Sequence, residues 1–195
     1  RRMLSMFDRL KADCRGIVQA ADRPTTRKTR IIASNQHVLR IDRESRRDIA
    51  PDVCKQLKAF IESEMPRVDG VLVSDYDKGL ITTALMARIT AAARRHEKFV
   101  IVDPKALDFS RYRGSTLLTP NRKEASQAAG IDITDEISMT AAARRIMETV
   151  ELQKLLITMG PDGMVYFQKG HPPYRIDTRA RQVYDVSGAG DTVLS

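Results

Sequence analysis

Five short segments place charged, amide or glycine residues directly after an apolar run. They are SDYDKG (Ser74 to Gly79), DPK (Asp103 to Lys105), TPNRKE (Thr119 to Glu124), TMGPDG (Thr158 to Gly163) and DVSGAGD (Asp185 to Asp191). In the last, Gly188, Ala189 and Gly190 leave the backbone small and flexible ahead of Asp191. Such a turn at a helix start can aim several N–H groups at one anion, helped by roughly half a positive charge from the helix dipole. A carboxylate beside that anion hole would repel a bound phosphate. It makes sense as a general base that takes the proton of an attacking hydroxyl while the N–H groups stabilise charge developing on the phosphoryl group. Asp191 also reads as a plain N-cap after a glycine turn.

The other four segments carry similar pairs of readings. Asn121 and Glu124 stand at i and i+3, the spacing of a capping box, and the same amide and carboxylate can hold water around Mg²⁺ at a nucleotide's phosphates. Thr158-x-Gly160-x-x-Gly163 looks like half a dinucleotide fingerprint, but Gly163 opens a strand and not a helix, so a hairpin turn around Pro161 and Asp162 is the stronger local reading. Gly160 can still let a phosphate approach the backbone. Asp75, Asp77, Lys78, Asp103 and Lys105 mark where buried strands meet solvent, and for the two lysines a phosphate is the functional alternative.

These segments need a scaffold that brings strand ends together. Residues 3–12 have the spacing of an amphipathic helix. KTRIIA and QHVLRID flank Ser34-Asn35 as a β-hairpin, in which Arg30, Asn35, Gln36, Arg40 and Asp42 must face something wet or anionic. From residue 52 the pattern alternates: helix 52–64, strand VDGVLVSD, helix ITTALMARITAAARR, strand KFVIVD, strand TLLTP, helix NRKEASQAAG, helix SMTAAARRIMETV and strand KLLITMG. That alternation predicts an α/β fold with a parallel sheet covered on both faces, whose ligands bind beyond the carboxyl ends of the strands. MVYFQ, YRIDT and QVYDV follow with no helix between them, so antiparallel strands are expected at one edge.

Composition narrows the class. The chain has 195 residues, 42% hydrophobic and 30% charged, enough for one good core. No run approaches the roughly 18 apolar residues of a membrane span, so no membrane partner is expected. Cys14 and Cys54 form no CxxC pair, and His37, His96 and His171 lack metal-ligand spacing, a usage that fits the cytoplasm. The net charge of +8 is scattered, and aromatics are 5% with no Trp. A stacking platform for single-stranded nucleic acid is missing, so no nucleic-acid partner is expected.

Asp185-x-x-Gly188-Ala189-Gly190-Asp191, Asn121-x-x-Glu124 and Thr158-x-Gly160-x-x-Gly163, in this topology, resemble the ribokinase-like (phosphofructokinase B type) carbohydrate kinases. Within that family, residues 23–44, SDYDKG, residues 103–124 and VYDVSGAGDTV are similar to the D-glycero-β-D-manno-heptose 7-phosphate kinase domains, often fused to an adenylyltransferase. The resemblance implies a ribokinase-like sandwich with a mostly parallel central sheet and a small β lid. It also implies transfer of the ATP γ-phosphoryl group to the anomeric hydroxyl of heptose 7-phosphate, giving the 1,7-bisphosphate for the lipopolysaccharide inner core.

By the same resemblance Asp191 is the base, and Gly188, Ala189 and Gly190 form the anion hole. Asn121 and Glu124 organise Mg²⁺ through water, and Thr158, Gly160 and Gly163 lie along ATP. Asp75, Lys78, Lys105, Arg30, Asn35 and Arg40 are candidates for the sugar phosphate. Residues 23–44 are the lid, through which a homodimer is expected. Residues 1–195 are expected to be the middle of the domain, with the first strands and the adenine pocket outside them and the isolated piece inactive. Another sugar-phosphate kinase, or a non-catalytic binding or dimerisation module, are the competing expectations.

Overall fold

The computed structural model describes residues 2–33, 36–178 and 193. An N-terminal helix α1 (Arg2–Arg9) precedes an antiparallel hairpin, β1 (Arg27–Ala33) and β2 (Gln36–Arg43), with a register shift between Ile31 and Ile32. The α/β body follows as α2 (Pro51–Glu64), β3 (Gly70–Ser74), α3 (Thr83–Arg95), β4 (Phe99–Asp103), β5 (Leu117–Leu118), α4 (Arg122–Ala129), α5 (Glu136–Val150), β6 (Lys154–Thr158), β7 (Met164–Gln168) and β8 (Tyr174–Ile176).

Each helix starts where its sequence provides a start. Pro51 opens α2, where a missing N–H costs nothing. The Thr82 side chain caps α3, and Asn121 and Asp135 close capping boxes on α4 and α5. The last of these starts earlier than the apolar spacing alone predicts, at Glu136, because Asp135 accepts from Ser138 N–H. Helix α4 ends on Gly130 in the left-handed region.

The body is one six-stranded sheet in the order β3-β4-β5-β6-β7-β8. Strands β3 to β6 pair in parallel, and β7 and β8 are antiparallel at one edge. Val73, Val100, Val102, Leu118, Leu155, Ile157, Val165 and Phe167 point to one face, where α3, α4 and α5 pack and α2 lies beside α3. Fully burying each such side chain contributes about 1.5–3 kcal/mol.

The opposite face differs from the expectation of two covered faces. Leu72, Phe99, Tyr174 and Ile176 lie on it and are exposed, and among the described residues no helix covers it. The apolar runs mark both faces as fit for burial, but only one has its partner helices here. TLLTP forms only the two-residue β5, since Pro120 has no N–H for a ladder. QVYDV lies outside the described residues. No helix among the described residues is long and apolar enough to cross a membrane.

Candidate active site

The carboxyl ends of β3, β4, β5 and β6 converge on a cavity of about 160 Å³ lined by Asp75, Lys105, Asn121, Glu124 and Thr158, with Tyr76, Asp103, Thr119 and Val193. Parallel pairing brings them there. Ser74 lies opposite Asp103, and Asn121 bridges to Thr158, whose N–H donates to Pro120 O at 3.0 Å. Segments far apart in sequence thus meet within one hydrogen-bond network.

Asn121 and Glu124 form the capping box that their spacing predicts. Asn121 Oδ1 accepts from Glu124 N–H at 3.0 Å, and Glu124 Oε2 accepts from Asn121 N–H at 3.0 Å. The other carboxylate oxygen accepts from Lys105 Nζ at 2.5 Å, and that hydrogen bond holds the Lys105 pKa above its usual value. Lys105 is therefore a fixed cation at the start of α4, where an anion would also meet the helix dipole. Among the described residues no three His, Cys, Asp or Glu side chains group as a metal site.

Asp75 borders a second cavity as well, of about 360 Å³, lined also by Thr26, Lys28, Lys78 and Leu80. Lys78 reaches back to pair with Glu44, which leaves the hairpin, and Arg23, which enters it, donates to Lys78 O. Glu44 is held below the usual carboxylate range by this lysine. Gly79 takes φ +73, and a Cβ there would stand 2.0 Å from Arg47 O. The segments that enter and leave the hairpin are thus tied to the loop that carries Asp75.

Some expected residues sit apart. Gly160 and Gly163 flank a single 3₁₀ turn with Pro161 and Asp162, the hairpin reading, and line neither cavity. Arg30 is exposed on β1, and Arg40 pairs with Asp42 at 3.0 Å. Asn35 and the segment Gly188 to Asp191 lie outside the described residues. Sequence reasoning missed Tyr112, Arg111 and Glu44. Glu44 had a usable signal in its position at the hairpin's exit, while Tyr112 and Arg111 sit in a 3₁₀ turn, Phe109–Tyr112, with no periodic pattern.

The chain is similar to known proteins over most of its length. The bifunctional protein HldE of Geobacter sulfurreducens is 47% identical over 193 residues, 99% of this chain and 39% of that protein. The bifunctional protein HldE of Desulfatibacillum aliphaticivorans is 46% identical over 186 residues, 95% of this chain and 38% of its own length. The chain thus spans about two fifths of these curated relatives. Among solved structures, a ribokinase from Giardia lamblia superposes with a TM-score of 0.78 at 21% identity, covering 99% of this chain and 59% of that one. The tetrameric inhibited form of phosphofructokinase-2 from Escherichia coli gives 0.75 at 15% identity, covering 99% and 63%. These likenesses establish the ribokinase-like fold. The sequence pattern of the pfkB family carbohydrate kinases matches residues 1–195, and the chain belongs to that family.

Proposed function

We propose that the whole protein transfers the γ-phosphoryl group of ATP to the anomeric hydroxyl of D-glycero-β-D-manno-heptose 7-phosphate, giving the 1,7-bisphosphate for the lipopolysaccharide core. The observation that carries this reading is the cleft joining Asp75, Lys105, Asn121, Glu124 and Thr158, in a chain 46–47% identical to bifunctional HldE proteins.

Lys105 neutralises phosphate, and Thr158 and Gly160 lie along the nucleotide. Mg²⁺ accompanying ATP would supply positive charge to offset that of its phosphates. Asn121 and Glu124 would hold its water shell and not the ion directly, because both Glu124 oxygens already accept protein donors. Asp191 takes the proton from the anomeric hydroxyl, and Gly188, Ala189 and Gly190 donate to the transferring group. This assignment is supported by Val193, two positions further on, which lines the same cleft. Residues 23–44 close over the sugar as a lid and pair with a second copy. The parent protein works in the cytoplasm and carries an adenylyltransferase, in keeping with the bifunctional relatives.

The test is ADP release by the whole protein with heptose 7-phosphate against a panel of hexose phosphates. Asp191→Asn lowers turnover by ~10²–10⁴ if the base assignment holds. Near-normal turnover in that variant rules it out, and preference for a hexose phosphate rules out the substrate.

A further inference from the structure

Asp75 sits where the two cavities meet, and both its oxygens are held. Oδ1 accepts Asp77 N–H at 2.8 Å, and Oδ2 accepts the Tyr112 hydroxyl at 2.6 Å, with Arg111 Nη1 3.8 Å away. Tyr112 is fully buried, and its oxygen also faces the N–H groups of Ala106 at 3.3 Å and Lys105 at 3.4 Å. One hydroxyl therefore joins the loop after β3 to the loop after β4, fixing Asp75 and the backbone of Lys105 relative to each other. Burial, then the bond to Asp75, pushes the phenol far above its usual range, so it remains a proton donor wherever the protein is folded.

We propose that Tyr112 is a positioning residue that holds the Asp75 carboxylate at this junction to accept a hydroxyl of the sugar phosphate. The inference rests on the sugar-phosphate kinase reading above. A carboxylate has about four acceptor sites, and the fixed donors leave lone pairs for a substrate O–H. The position suits that role, with Lys28 and Lys78 lining one side for a distal phosphate and Lys105 lining the other, where the phosphoryl group arrives. A site built to bond a particular hydroxyl discriminates strongly against a sugar lacking it.

The experiment is a double-mutant cycle in the whole protein, with KM measured separately for sugar phosphate and ATP. Tyr112→Phe keeps the ring edge-on to Phe109, 5.8 Å between centroids, and removes only the hydroxyl. Expected is a rise of about tenfold in the sugar-phosphate KM, the loss of one charge-assisted hydrogen bond, with the ATP KM unchanged. Asp75→Asn moves the same constant, and the double variant is no worse than Asp75→Asn alone. Additive losses, equal rises in both KM values, a lowered Tm with unchanged kinetics, or a Tyr112→Phe protein that does not fold each overturn the proposal. If the wild type phosphorylates a different sugar phosphate, the heptose reading falls while the cycle is run on the accepted sugar. If no sugar phosphate is accepted, both fall.

Discussion

Lys105 Nζ donates to Glu124 Oε1 at 2.5 Å, joining the loop after β4 to the first turn of α4 across 19 residues of sequence. Glu124 is at once the N3 residue of a capping box and the counter-charge of a lysine in the cleft. The two roles rest on different oxygens, so they can be separated.

Glu124→Gln keeps an oxygen that can accept Asn121 N–H and removes the charge facing Lys105. Its stability stays near wild type, while Glu124→Ala loses the reciprocal cap as well, about 1 kcal/mol. On the proposed role in holding the water shell of Mg²⁺, both variants lose turnover and need more Mg²⁺ to reach half-maximal rate. Thermal unfolding beside a Mg²⁺ titration of ADP release checks this, and a Glu124→Gln enzyme with an unchanged titration would leave Glu124 as a cap only.

Gly160 and Gly163 separate strain from clash. Both have positive φ, +60 and +82, but a Cβ at Gly160 meets nothing within 4 Å, whereas one at Gly163 stands 2.1 Å from Ile176 O. Gly160→Ala therefore costs about 1 kcal/mol of backbone strain. Gly163→Ala must also displace the chain at the end of β8 and costs more, giving the lower Tm. On the nucleotide reading, Gly160→Ala raises the ATP KM, although its stability loss is the smaller of the two.

Acid sensitivity follows from the cap carboxylates. Asp135 is held below its ordinary 3.8, first by the Ser138 backbone N–H, and Asp108 likewise by that of Ser110. A depressed folded-state pKa contributes stability that is fully present above the unfolded value and is lost as pH falls through the folded one. The contribution of these two carboxylates to stability is therefore flat from neutral pH down to about pH 5 and declines below about pH 4. Asp135→Asn keeps an acceptor for Ser138 and weakens that decline. Urea midpoints between pH 7 and pH 3 measure it, and parallel curves for the two proteins would refute it.

Most of the body was legible because its signals are local. Apolar strands such as FVIVD and caps such as Asn121-x-x-Glu124 act within a few residues, and the strand-end rule then placed Asp75, Lys105, Asn121 and Thr158 in one cleft. What the sequence did not reveal depends on pairing across the fold. Nothing in ALDFSRYRG marks Tyr112 as the partner of an aspartate 37 residues away, and no spacing shows that Lys78 is held by Glu44. Apolar alternation states that a face can be buried, not which segment buries it.

The hairpin gives the last prediction. Register places Ile31 opposite Leu39 and Thr29 opposite Ile41, while Arg30 opposes Arg40 and Lys28 opposes Asp42. One face of the ribbon thus groups Thr29, Ile31, Leu39 and Ile41, with Arg27 and Arg43 at its base, and the other groups Lys28, Arg30, Arg40 and Asp42, of which Lys28 lines the cavity beside Asp75. Ile31, Leu39 and Ile41 are 44–52% exposed, and a two-stranded ribbon alone is marginal in water. On the proposed pairing of lids, a second copy laid against Ile31, Leu39 and Ile41 removes that surface and leaves the Lys28 face toward the sugar. If the whole protein pairs this way, Ile41→Lys puts a charge into that contact and shifts it from dimer to monomer in sedimentation equilibrium. Because the lid then loses its support, the sugar-phosphate KM rises more than the ATP KM. A wild type that sediments as a monomer, or a variant that remains dimeric with unchanged kinetics, would show that the Ile31 face does not pair two copies.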